Sequence, residues 1–106
     1  MPSQRQIECF TLQFHRVAVD RLRAHPEYLV QAIAVLDRWE AKGASSAGQA
    51  YRDTWRNALQ MGLPDIEKIS CVDTDEAATL RSVSPLGFVL SEQERMHIRR
   101  EAMAAV

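Results

Sequence analysis

At 106 residues, with 46% hydrophobic and 25% charged side chains, the chain has the makeup of one globular domain, and wholesale disorder is excluded. A net charge of -1 gives no whole-molecule attraction for nucleic acid or an anionic membrane, so any basic footprint must be local. No apolar run approaches the roughly 20 residues that cross a bilayer, and the amino terminus shows no basic segment followed by an apolar one. A soluble, cytoplasmic protein is expected, with Cys9 and Cys71 reduced, buried and structural rather than bridged.

The first helix is expected from near Ser3 to about Ala24, because Ile7, Phe10, Phe14, Val17, Ala18 and Leu22 recur at three- and four-residue steps and make one apolar stripe. His25-Pro26 breaks it, and Pro26 suits the first turn of a second helix, which His25 would cap. That second helix should run to about Lys42 with Leu29, Ala32, Ile33, Leu36 and Trp39 inward, and Gly43 as a left-handed stop. In "GASSAG" either Ser45 or Ser46 can cap a third helix, which carries Tyr51, Trp55, Ala58 and Leu59 inward and ends at Gly62.

Leu63-Pro64-Asp65 restarts a short fourth helix through Ile66 and Ile69. Asp73, with Glu76 three positions on, reads as the cap of a fifth, carrying Ala77, Leu80 and Val83. Ser91 and Glu94 form a capping box at the head of a last helix through Val106, the clearest local helix signal in the chain. The expected fold class is all-α: a small bundle of five or six short-loop helices with an apolar loop and a C-terminal amphipathic helix. Residues 1–106 form a single domain, in which 84–106 is a candidate partner-binding arm.

Catalytic and metal chemistry find little foothold. His15, His25 and His97 stand far apart, with no H-x-x-x-H or C-x-x-C pairing, and each is expected at a helix surface or end. No nucleophile elbow or glycine-rich phosphate loop is present, and Asp73, Asp75 and Glu76 are accounted for as residues of a helix start. A non-enzymatic protein without metal, cofactor or small-molecule ligand is the expectation. "AVLDRWEAKGASSAGQAYRDTW" has the outline of a helix-turn-helix, with Arg52 and Arg56 one turn apart. A DNA-binding regulator acting on operator DNA is therefore kept as the alternative function, behind an ordinary helical hairpin whose aromatic residues Trp39, Tyr51 and Trp55 are core.

The stretch "SVSPLGFVL" asks more. Ser84-Pro85 stops a helix, yet Leu86, Phe88, Val89 and Leu90 follow in a place where polar residues are the rule. Leu86, Phe88 and Leu90 alternate like an extended segment with those three side chains directed inward. In the last helix Met96 and Met103 give only a narrow apolar strip beside a basic side of Arg95, His97, Arg99 and Arg100. Loop and helix either close onto their own chain or wrap a partner, and both can hold, with Phe88 internal and the helix external. The partner-binding candidates are Arg81, Leu86, Phe88, Leu90, Arg95, Met96 and Arg99: the apolar ones as anchors, the arginines as charge pairs for an acidic cleft.

"LRSVSPLGFVLSEQER", preceded by "HRVAVDRLRAHPEYLVQAIAVLDRW" and "YRDTWRNAL", resembles a family of small helical bacterial proteins encoded beside toxin genes, the antitoxins of two-gene toxin-antitoxin pairs. The likeness runs from about Phe14 to Arg99 and rests on His15, Pro26, Glu27, Trp39, Trp55, Leu80, Arg81, Ser84, Pro85, Leu90, Glu94 and Arg95. Leu86 stands where that pattern has Phe, and the aromatic comes two places later at Phe88. The resemblance implies a bacterial inhibitor that neutralises a cognate toxin by direct protein-protein contact.

Overall fold

Ser3 decides where the first helix begins. Its hydroxyl accepts from the Gln6 amide while the Gln6 side chain accepts from the Ser3 amide, closing a capping box ahead of α1 (Gln4–Ala24). The computed structural model describes residues 1–105, so the expected last helix is seen as far as Ala105 and Val106 lies outside the described residues. Along α1 the buried side chains are Leu12, Phe14, His15, Ala18, Val19 and Leu22, whereas Ile7 and Val17 of the expected stripe are exposed. The inward face is turned away from that stripe because α1 is covered on two sides, by α4 and α5 and by α6, and because a histidine sits inside it.

The chain then turns through His25-Pro26-Glu27. His25 does not cap the second helix; its amide closes the end of α1 on the Arg21 and Leu22 carbonyls. The second helix, α2 (Tyr28–Ala41), starts two residues later than expected, since the turn's own carbonyls at His25 and Pro26 take the amides of Tyr28 and Leu29. Ala32 and Leu36 are buried, and Leu29, Ile33 and Trp39 pack partly covered beside them. Gly43 adopts a φ of 82°, the left-handed stop that a side chain would strain.

Ser45 caps a single 3₁₀ turn (Ser46–Gly48) that leads into α3 (Gln49–Met61), where Trp55, Ala58 and Leu59 are buried and Tyr51 faces out. Gly62, at φ 119°, joins α3 directly to α4 (Leu63–Ser70), whose first turn holds Pro64. The cap of α5 (Asp75–Ser82) is Thr74, not Asp73: the Thr74 hydroxyl accepts from the Ala77 amide at 3.1 Å. Asp73 is drawn off by a long-range partner, holding Arg5 through both carboxylate oxygens at 3.0 and 2.9 Å.

After α5 the apolar passage folds as a compact turn rather than an extended strand. The Ser84 hydroxyl accepts from the Leu86 amide at 3.1 Å and the Leu86 carbonyl from the Val89 amide at 3.1 Å, so the period is no longer two. Pro85, Leu86, Val89 and Leu90 turn into the core, and Phe88 turns out. The Ser91–Glu94 capping box forms as expected and starts α6 (Glu92–Ala105), which lies along α1. Its inward residues are Ile98 and Ala102; Met96 is exposed and Met103 half-buried. The arrangement with Phe88 inside and the helix outside is thus reversed. Arg21 on α1 grips the Glu94 carboxylate, and that pair holds Glu94 down to about 2.

Six α-helices and no strand are present among the described residues, which makes this a small all-α bundle. Cys9 and Cys71 are both free and only half-buried, with burial pushing the Cys71 thiol up. No helix is long and apolar enough to cross a membrane.

Candidate functional site

The residues of the Ser-Pro turn meet α1 through His15. Its Nδ1 lies 2.7 Å from the Thr11 carbonyl, which can only accept, so Nδ1 carries the hydrogen; Nε2, 2.8 Å from the Ser84 hydroxyl, must then accept from it. The ring is 3% exposed, and burial holds it at about 4, far below the usual imidazole range. A serine hydroxyl on a histidine nitrogen looks like a nucleophile with its base. An imidazole that protonates only near 4 is a feeble base at neutral pH, however, and Ser84 already accepts from the Leu86 amide. The pair therefore fastens the turn to α1.

Trp55 and Arg81 lie close to that pair. Trp55 is fully buried, donates from Nε1 to the Leu80 carbonyl at 2.8 Å, and lies with its ring centre 5.9 Å from that of His15. Arg81 is 3% exposed; its Nε donates to the Thr11 hydroxyl at 3.1 Å and its Nη1 to the Ser70 and Val72 carbonyls, each at 2.9 Å. Arg81 thereby ties together α1, the end of α4 and α5, which no surface charge pair would do. His15, Trp55 and Arg81 are scattered in the chain but buried near one another, and Ser84, half-buried, joins the turn to them through His15.

The seven partner-binding candidates do not share one surface. Arg81, Leu86 and Leu90 are buried in the closed chain. Phe88 is 39% exposed and packs edge-on against Tyr28, with ring centres 5.9 Å apart, while Tyr28 stacks on His25. Arg95 donates to the Gly87 carbonyl at 2.7 Å and spreads its guanidinium over the Phe14 ring, 4.9 Å from its centre. One turn on, Arg99 covers Phe10 in the same way at 5.2 Å. Met96 is 51% exposed. The outward set is therefore Phe88, Arg95, Met96 and Arg99.

Arg81 and Arg95 come together across a cavity of about 150 Å³, walled also by Phe10, Phe14, His15 and Ser84. Sequence reading missed Thr11, Phe10, Phe14 and His15 as its walls. The signal lay in the long-range pairing of His15 with Ser84 and of Thr11 with Arg81, which no local pattern carries.

The two arginines that the helix-turn-helix outline would turn to DNA phosphates are both engaged within the hairpin. Arg52 is spent on the Ser45 carbonyl and the Gln49 side chain, and Arg56 on Asp37 and Glu40, at 2.9 and 3.1 Å. His25 pairs with Glu27 and His97 with Glu101, and among the described residues no group of three or more His, Cys, Asp or Glu is placed to hold a metal ion. No family model matches the chain, and no match is found among curated proteins or among solved structures.

Proposed function

We propose that this protein is an antitoxin-like inhibitor, a bacterial cytoplasmic binding protein that neutralises a cognate toxin by direct contact and catalyses nothing itself. One observation carries the reading. In a turn whose Pro85, Leu86, Val89 and Leu90 are packed away, Phe88 is the one large apolar side chain left 39% exposed. A framework that buries a charged Arg81 and a polar His15 in order to pose one aromatic outward is more than a chain-closing device needs. The resemblance in sequence to antitoxins of two-gene pairs points the same way.

In this reading Phe88 is the anchor, Met96 adds apolar contact, and Arg95 and Arg99 face acidic groups of the toxin's cleft. Arg81, Leu86 and Leu90 act from beneath, holding the turn in its binding pose. The direct test is co-expression with the product of the adjoining gene, followed by co-purification and calorimetry. Phe88→Ala should weaken the complex by about 2 kcal/mol or more, as a central aromatic does, and Arg99→Ala by less than about 1 kcal/mol, as a rim charge does. Equal losses would remove Phe88 from the role of anchor, and no complex with the neighbouring product would remove the function.

A further inference from the structure

Among the described residues α6 lies along α1 and packs on no other helix to a like extent, so most of its circumference faces water. Ile98 and Ala102 take the inner side, and beside them Arg95 and Arg99 cover Phe14 and Phe10. The outer side carries a pattern that packing within the chain leaves unused. Glu92, Met96 and Arg100 follow one another at successive turns, and Met103 falls on the same side. Met96 is 51% exposed, Glu92 and Arg100 are exposed, and Met103 is half-buried. The charges at either end are unspent. Glu92 lies 3.8 Å from Arg95, outside hydrogen-bond reach, and Arg100 makes no ion pair among the described residues.

We propose that this face of α6 is an interface with a second copy of the chain, the two α6 helices lying antiparallel across a two-fold axis at Met96. The face is its own complement. Reversed about Met96, it sets Glu92 opposite the partner's Arg100 and Arg100 opposite the partner's Glu92, so that the ion pair is made twice. Met96 meets the partner's Met96 at the axis, and Met103 adds apolar area beyond the charges. A parallel pairing would bring glutamate to glutamate and arginine to arginine, which repel, whereas the antiparallel one also opposes the two helix dipoles. Methionine, unbranched and adaptable, suits a contact that is made and broken. One helix face per copy is less than the about 1,200 Å² of a standard interface, so the pair is weak, with a dissociation constant on the order of 100 μM. The pairing concerns this chain alone and stands whether or not the antitoxin reading does. Where that reading holds, Met96 is shared, and toxin and second copy compete for it.

The test is analytical ultracentrifugation of the pure full chain at low, fixed salt, without any toxin. Between about 10 μM and about 1 mM it should show a monomer–dimer equilibrium. Glu92→Arg and Arg100→Glu should each raise the dissociation constant about fivefold or more, since each brings like charges together twice, and the double exchange should restore it to within about twofold. Met96→Glu should abolish the dimer. All three side chains are exposed, and circular dichroism checks that each variant keeps its helices. If Glu92→Arg frays the start of α6, Arg100→Glu and Met96→Glu decide alone. A chain that stays monomeric to about 1 mM would overturn the proposal. So would a dimer whose affinity none of these exchanges alters, or a double exchange no better than the single ones.

Discussion

Trp55→Ala is expected to lower the free energy of unfolding by about 3–5 kcal/mol, the range for deleting a fully buried large aromatic. The ring is wholly covered, and Nε1 joins α3 to the last turn of α5 through the Leu80 carbonyl. Its loss opens a void next to His15, within the one hydrophobic core of a domain whose whole stability is of the order of 10 kcal/mol. Trp55→Phe separates the two contributions. It keeps much of the volume and removes the donor, and because the Leu80 carbonyl also accepts from the Val83 amide, the lost bond should cost only about 1 kcal/mol on top of the smaller ring. Urea denaturation with unchanged slope measures both, and a loss under about 1 kcal/mol for Trp55→Ala would mean that α3 does not pack as described.

The second large effect is a dependence of stability on pH that belongs to His15. In the unfolded chain the imidazole titrates near 6.5; in the fold, burial takes it to about 4. Between those values the unfolded state binds a proton that the folded state refuses, so stability falls as the pH drops through this window. Below it both states are protonated and the loss is complete, at about 3 kcal/mol for a shift of this size. Glu94 adds a separate decline further down, between its ordinary 4.5 and about 2, because the Arg21 pair that depresses it dissolves on protonation. Its exposure to solvent keeps that second step small. Urea midpoints measured from pH 7 to pH 4 should slope for the natural chain and flatten for His15→Gln; parallel curves would contradict a neutral, buried His15.

Local signals in the sequence marked the ends of the helices well. Ser3, the Ser91–Glu94 box, Gly43, Gly62 and Pro64 each act within a turn of their own position, and each does in the fold what the sequence leads one to expect. Misreadings came where a distant group competes. Asp73 has the chemistry of a cap but is claimed by Arg5, so the cap passes to Thr74. The face of α1 is displaced because hydropathy counts His15 as polar, whereas both its nitrogens are satisfied indoors. The narrow strip of Met96 and Met103 is not the face by which α6 packs: Ile98 and Ala102 are its buried residues, and neither stands out in a helix so rich in charge.

The candidate site was legible in part. Phe88, Arg95, Met96 and Arg99 lie on the outside, where contact residues need to be, yet the spacing of Leu86, Phe88 and Leu90 suggested one shared direction. A hydroxyl decides otherwise. Ser84 takes the Leu86 amide and gives its proton to His15, which bends the chain and separates Leu86 from Phe88. Arg81, expected as a charge pair for a partner's acidic group, is buried instead, because its partners are distant and uncharged: the backbone of Ser70 and Val72 and the hydroxyl of Thr11.

The most direct measurement pairs Leu86→Ala with Phe88→Ala, reading urea stability and binding to the neighbouring gene's product in the same preparations. Leu86, fully buried, should cost about 2–5 kcal/mol of stability when truncated, and Phe88 less than about 1 kcal/mol, because it is a partly exposed side chain with one edge contact. Binding should be lost in Phe88→Ala while its fold is intact. A Phe88→Ala chain that unfolds as readily as Leu86→Ala, or that folds and still binds as tightly as the natural one, would contradict an outward-facing anchor posed by a buried framework.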